Sequence, residues 1–297
     1  MKTLILIDSN ALIHRAYHAL PSLKTKKGQL VNAVYGFVSI LFRVIKELRP
    51  DYLAATFDLA GPTFRDVEYK EYKAKRVKPP QELYDQIPII KEIVESLGIP
   101  IYEKQGFEAD DVIGTIVQKT KKGPLATSLK KIIITGDLDA LQLVDRQTSV
   151  YASQKGIKEM IIYDQKAIEK RYGLKPKQIV DFKALKGDPS DNIPGVSGIG
   201  QKTAIDLIKQ FGSLKKIYQN LSQSNLNPKL KARLMEYRED AFFSQHLATI
   251  KKDISLDFRL DQCRWGRYHE RELNKLLKEL EFDSLIKRFS VIKLKND

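Results

Sequence analysis

The chain has 297 residues, 42% of them hydrophobic, enough to bury a sizeable core and to form two domains at about 100 to 200 residues each. Its 51 Lys and Arg against 37 Asp and Glu leave a net charge of +14, which calls for an anionic partner, and nucleic acid rather than a membrane. Several classes are excluded: no apolar run approaches the roughly 18 residues of a spanning helix, the single Cys263 cannot form an intramolecular disulfide, and His14, His18, His246 and His269 lack zinc-ligand spacing.

The first apolar stretch, Leu4 to Ile7, runs only four residues before Asp8 interrupts it, so it reads as a buried strand and not as a signal peptide. Strand patterns at 3–7, 52–57, 99–103, 132–135 and 149–152 alternate with helical patterns at 31–48, 82–97 and 109–120, the last carrying Val112, Ile113, Ile116 and Val117 on one face. This alternation predicts an α/β domain with a mainly parallel central sheet, its helices placed on the faces by right-handed crossovers. Residues 159–163 add one further strand at an edge. Beyond about 175 the strand signal fades, and helical patterns follow at 176–186, 201–211, 213–220, 228–250 and 270–280. The expected division is therefore an α/β domain over 1–174 and an α-helical domain over 175–297, with 121–131 and 257–268 showing no clear pattern.

Seven carboxylates stand at four stations in the first domain: Asp8, Asp58, Glu108 with Asp110 and Asp111, then Asp137 with Asp139. Asp8, Asp58 and Asp137 each follow a predicted strand, where open parallel sheets place their ligand sites. Each could instead cap the following helix, but capping needs one acid per helix and 108–111 supplies three. Two unit charges about 4 Å apart repel by roughly 4 kcal/mol at an effective dielectric of 20, so converging acids in a basic chain point to hard divalent cations with oxygen ligands. Asp188 and Asp191 lie in Gly187-Asp188-Pro189-Ser190-Asp191-Asn192, which alone would read as a turn.

That turn leads into Ile193 to Ala204, where Gly198 and Gly200 permit close backbone approach and Lys202 and Thr203 open a helix whose N–H groups can bind phosphate. The pattern is helix, hairpin, helix over about 187–212; Gln201 between Gly200 and Lys202 breaks the spacing of a nucleotide-triphosphatase loop. Upstream, 64–80 interleaves Arg65, Lys70, Lys73, Lys75, Arg76 and Lys78 with Phe64, Tyr69 and Tyr72. A solvated charged helix would look similar, but bases beside aromatic rings suit single-stranded nucleic acid, and the segment follows Asp58 closely enough to project over the acids.

Taken together the chain resembles the 5′-nuclease or flap endonuclease family, and most closely the N-terminal 5′→3′ exonuclease portion of bacterial DNA polymerases of the first family. The resemblance rests on the order of Phe57-Asp58, Thr63-Phe64-Arg65, Tyr72 to Arg76, Glu108 to Asp111, Thr135 to Asp139 and Gly187 to Ala204, and spans nearly the whole chain. It implies a PIN-like nuclease fold with a helical arch at about 62–82 and a C-terminal helix-three-turn-helix domain. It implies one metal site from Asp8, Asp58, Glu108, Asp110 and Asp111 and another from Asp137, Asp139, Asp188 and Asp191, holding two Mg²⁺ with Mn²⁺ as a substitute. It further implies that Lys73 and Arg76 contact the scissile phosphate, that Tyr72 stacks on a base, and that Gly198 to Thr203 grips duplex with a K⁺ held by loop carbonyls.

The expected activity is structure-selective 5′→3′ exonuclease and 5′ flap endonuclease cleavage in replication and repair. The expected partners are DNA with a 5′ flap, nick or 5′ end and RNA/DNA primer junctions, together with a DNA polymerase in cis or in trans and no membrane. The expected location is the bacterial cytoplasm, on the nucleoid. Ser9 and Asn10 stand where polymerase-linked relatives often carry Gly, 121–131 is longer than usual, and no polymerase portion follows Asp297, leaving open a stand-alone nuclease or the front of a longer protein. A non-catalytic binder of DNA structures and a PIN-type ribonuclease are the competing readings.

Overall fold

The computed structural model describes residues 1–123, 125–155 and 159–293. Six strands form one sheet in the order β3-β2-β1-β4-β5-β6: β1 (Lys2–Asp8), β2 (Tyr52–Thr56), β3 (Ile101–Tyr102), β4 (Leu129–Thr135), β5 (Thr148–Lys155) and β6 (Glu159–Tyr163). All neighbours run parallel except β5 and β6, so the edge strand expected at 159–163 closes the sheet antiparallel. β1 lies at the centre, with Leu6 opposite Ala54 on one side and Ile133 on the other.

Helices of the α/β part are α1 (Ser9–Ala19), α2 (Asn32–Leu48), α3 (Phe64–Glu68), α4 (Gln81–Tyr84), α5 (Ile87–Ser96), α6 (Ala109–Lys119) and α7 (Gln165–Tyr172). The pattern at 82–97 is two helices because Pro88, in the first turn of α5, has no N–H to continue the ladder from α4; Gln86 between them accepts the N–H groups of Ala33 and Val34 at 2.8 and 3.3 Å, serving α2. No helical pattern is read over α1 or α7, and only the capping reading of Asp8 points to α1. α1 starts on the residue after β1 with Asp8 as its N-cap, so strand and helix share a boundary without any punctuating loop.

Strand alternation divides the core. Ile5, Ile7, Leu53, Ala55, Ile132 and Ile134 face α2 and α5, whereas Leu4, Leu6, Ala54 and Ile133 face Val112, Ile113, Ile116 and Val117 of α6. The helical part comprises α8 (Ile179–Lys186), α9 (Gln201–Phe211), α10 (Leu214–Asn220), α11 (Pro228–Glu236) and α12 (Arg238–Ala248), the run at 228–250 breaking at Tyr237. Its own core holds Phe182, Leu185, Val196, Ile199, Leu207, Ile208, Leu214 and Leu234.

At the far end of the expected helical stretch 175–297, the chain packs back against the α/β core. Ile250, Ile254 and Cys263 join the α6 side of the sheet, and α13 (Glu270–Glu279) and α14 (Asp283–Lys293) place Leu273, Leu277, Leu285 and Phe289 in the α2 side. An amphipathic pattern specifies an apolar stripe but not which of two cores receives it.

Candidate active site

Parallel topology brings the carboxyl ends of β1, β2 and β4 together, and with them Asp8, Asp58 and Asp137. The two readings of these acids prove compatible. Asp8 caps α1 by accepting the Ala11 N–H at 3.1 Å while its second oxygen accepts the Thr135 hydroxyl at 2.5 Å. Asp58, exposed, accepts the Ala109 N–H at the start of α6 at 2.7 Å, and its own N–H donates to Asn10 at 3.0 Å. Asp137 accepts the Asp139 N–H at 2.8 Å, which bends the chain so that both side chains face the site.

Asp188 and Asp191 arrive from the helical part on a tight reversal, where Asp188 and Ile193 exchange two backbone hydrogen bonds of 2.9 Å. Carboxylate oxygens of Asp139, Asp188 and Asp191 lie within 4.8 Å of one another. A cavity of about 740 Å³ opens over Asp8, Asp58, Glu108 and Asp110, and one of about 420 Å³ over Asp137, Asp139, Asp188 and Asp191.

Burial pushes the Asp8 carboxyl up to about 7, with Asp58 and Asp137 adding to the rise, and pushes Asp139 likewise to about 7 against the pull of Lys183. Asp110 is raised well above the usual range by burial and by the charges of Asp8, Asp137, Asp139 and Glu108. Its Oδ1 is buried and has no hydrogen-bond partner among the described residues. An orphaned carboxylate oxygen amid mutually repelling acids is a donor set that fits hard cations with oxygen ligands.

Asp111 does not join this set. Arg65 grips it through Nη1 at 2.7 Å and Nη2 at 3.0 Å, and Asp111 also accepts the N–H groups of Lys251 at 2.8 Å and Glu108 at 3.2 Å. Arg65 is equally committed, donating to the carbonyls of Leu247 at 2.8 Å and Thr249 at 3.0 Å and to Glu108 at 3.2 Å. The two side chains are 3% and 0% exposed, which leaves no oxygen of Asp111 for a metal and no face of Arg65 for DNA. In this structure Asp111, expected among the metal ligands, and Arg65, expected among the DNA contacts, instead form a buried clamp between the arch root, α6 and the end of α12.

The arch segment is helical over Phe64–Glu68 and then turns, with Lys73 at φ 54°, to lie on the Asp188–Ile193 reversal. The Lys73 N–H donates to the Asp191 carbonyl at 2.9 Å and Asn192 Nδ2 to the Glu71 carbonyl at 2.7 Å. Lys73 Nζ pairs with Glu108 and Arg76 with Asp191, while Arg76 Nε donates to the Ser190 carbonyl at 3.2 Å. Tyr72, expected to stack on a base, is buried instead, its hydroxyl 3.2 Å from Glu108 and 3.3 Å from Asp191. Lys70 is exposed, as are Lys75 and Lys78.

At the hairpin, Gly187 and Gly195 have positive φ and meet backbone to backbone, so that a Cβ on Gly195 would stand 2.2 Å from the Gly187 nitrogen. Gly198 (φ 74°) lies beneath Arg233, whose Nη1 donates to its carbonyl at 3.3 Å. Gly200 caps α9 with open space before it, beside exposed Lys202 and half-buried Thr203. Sequence reasoning missed Lys183, which sits between Asp139 and Asp188. The one available signal was its place a single helical turn before the Gly187-Asp188 pair.

Acids gathered at the carboxyl end of a parallel sheet, beneath a basic segment and beside a helical hairpin, define a phosphodiester-cleaving enzyme of the PIN-like class. The chain belongs to the 5′-3′ exonuclease family: residues 3–173 match the family's N-terminal resolvase-like domain and 174–271 its C-terminal SAM fold. It is 40% identical over 290 residues to DNA polymerase I of Caldicellulosiruptor bescii, covering 97% of this chain and 33% of that protein. Against DNA polymerase I of Chloroflexus aurantiacus it is 45% identical over 295 residues, covering 96% and 30%. The chain thus spans about a third of the length of these relatives. In fold it is similar to the T5 D15 protein co-crystallised with metal ions (TM-score 0.67, 20% identity, 96% and 100% covered). It is also similar to the catalytic core of Rad2 in complex with DNA substrate (TM-score 0.65, 18% identity, 99% and 92% covered). No helix among the described residues is long and apolar enough to cross a membrane.

Proposed function

We propose that this chain acts as a structure-selective 5′→3′ exonuclease and 5′ flap endonuclease on DNA and on RNA primer ends. The observation that carries the reading is the buried Oδ1 of Asp110, unpartnered among the described residues and set among carboxylates whose pKa values burial has raised. Asp8, Asp58, Glu108 and Asp110 would hold one divalent cation, and Asp137, Asp139, Asp188 and Asp191 a second, Mg²⁺ with Mn²⁺ as a substitute. When bound, such a pair supplies an activated water and charge stabilisation for the leaving oxygen.

The chain's own groups prepare that chemistry. Thr135 and the Ala11 N–H orient both oxygens of Asp8, and the first turn of α6 fixes Asp58. Lys73 Nζ and Arg76 Nη2 stand over the acids and would transfer from Glu108 and Asp191 to the non-bridging oxygens of the scissile phosphate, offsetting the charge that develops there. The open N-terminus of α9 with Gly200, Lys202 and Thr203 would grip duplex phosphates, with a K⁺ at the hairpin carbonyls as its complement. One hairpin carries both that grip and Asp188 and Asp191, so the position of the duplex fixes which phosphodiester reaches the acids. That linkage supports selectivity for the junction at a flap, nick or 5′ end. A DNA polymerase in cis or in trans is the proposed partner, and the nucleoid of a bacterial cytoplasm the proposed location.

The test is cleavage-site mapping on 5′-labelled flapped, nicked and blunt duplexes with Mg²⁺ against EDTA, for the wild type and Asp110→Asn. Cleavage near the junction that needs the cation and is lost in the variant is expected. Full activity of Asp110→Asn, or cleavage confined to unstructured RNA, overturns the reading.

A further inference from the structure

The two acid groups differ in how far the chain itself neutralises them. In the first, Lys73 and Arg65 both take Glu108, while Asp110 keeps a buried oxygen without a partner among the described residues. In the second, every member of the Asp139, Asp188 and Asp191 triplet is engaged. Lys183 Nζ contacts both Asp139 and Asp188, while Arg76 takes Asp191. The two cations are not equivalent. Arg76 is 47% exposed and lies on a turn, whereas Lys183 is 16% exposed and projects from the last turn of α8. The backbone fixes Lys183 there, because the Gly187 N–H closes on the Lys183 carbonyl at 2.8 Å and the positive φ of Gly187 turns Asp188 back over the ammonium.

We propose that Lys183 is a specificity-determining residue of the second acid group: its ammonium, seated between Asp139 and Asp188, competes with the divalent cation that group would bind. The inference rests on the two-cation reading above and adds an order of filling. The first group, which has a free oxygen, binds its cation tightly in the free protein. The second stays weak until Lys183 acquires another anion, and a phosphate of bound DNA is the anion the reaction brings. Cation and DNA then reinforce each other at this group, and by linkage the reinforcement is reciprocal. A lysine that merely packed against the helix end would leave cation affinity unchanged.

The experiment is a Mn²⁺ titration of the full chain followed by the electron paramagnetic resonance signal of free Mn²⁺, with and without an uncleavable phosphorothioate flap. Wild type, Lys183→Met and, as a second variant of different polarity, Lys183→Gln are compared after circular dichroism confirms folding. In the wild type one tight and one weak site are expected without DNA. Both variants should tighten the weak site by about tenfold or more and shrink the further gain on adding DNA. Superimposable isotherms for all three proteins overturn the role of Lys183 and leave the metal reading standing. Absence of Mn²⁺ binding to any of them overturns both.

Discussion

Asp110 and Asp111 are neighbours in sequence whose side chains lead to different surroundings, and the difference is one of direction. A helical step of about 100° aims Asp110 at the sheet's carboxyl end and Asp111 at the arch root, where Arg65 waits. Removing Arg65 would leave a fully buried carboxylate unpaired, so Arg65→Ala is expected to lose about 3 to 5 kcal/mol of stability by urea denaturation. Asp111→Asn should fall in the same direction, whereas Asp110→Asn should hold or gain stability while cleavage is lost. Nothing in a run of three acids could separate these roles, since the clamp joins residues 46 apart. The raised Asp8 carboxyl gives a second expectation. Between pH 3.8 and about 7 the folded chain retains a proton that the unfolded chain has released, so without metal Asp8 costs stability increasingly as pH rises through that window. Thermal melts in EDTA should show Asp8→Asn gaining on the wild type from about pH 5 to 7.5. His14, whose pKa burial lowers, contributes the opposite slope to both proteins and cancels in the comparison.

Among the elements, the hairpin between α8 and α9 holds the tightest backbone packing in the site. Gly195→Ala requires a Cβ 2.2 Å from the Gly187 nitrogen at φ 66°, and the conformation alone costs of order 1 to 3 kcal/mol before the clash is counted. Gly200→Ala meets open space and should change stability by within about 1 kcal/mol. Its effect should appear in duplex affinity measured by fluorescence anisotropy, whereas Gly195→Ala should impair folding and cation binding together. The strands and α6 were legible because apolar periodicity and strand ends carry their own signal. Helix α1 has no periodic pattern of its own; only Asp8, at once the last residue of a strand and the cap of a helix, points to it. Lys183 was not legible, since a lysine in an amphipathic helix looks solvated until the fold brings Asp139 from 44 residues away.

For the whole molecule, the return of α13 and α14 to the sheet is the feature that sequence order concealed. Phe289, 2% exposed, packs against Phe42 and Tyr268 with ring centroids 5.7 and 5.2 Å apart. Phe289→Ala should therefore destabilise the α/β core by about 3 to 5 kcal/mol in chemical denaturation, although the residue lies more than 100 positions beyond Leu174. The alternation of strands and helices revealed the sheet, but no local pattern could announce that the tail completes it. This return has a further consequence. The helical part is an insertion held by two covalent crossings, one near Leu174 and one near Ile250. With both of its ends anchored in the α/β part, the insertion presents Asp188 and Asp191 to Asp137 and Asp139 at a higher effective concentration, and at a smaller cost in chain freedom, than a body on one tether would.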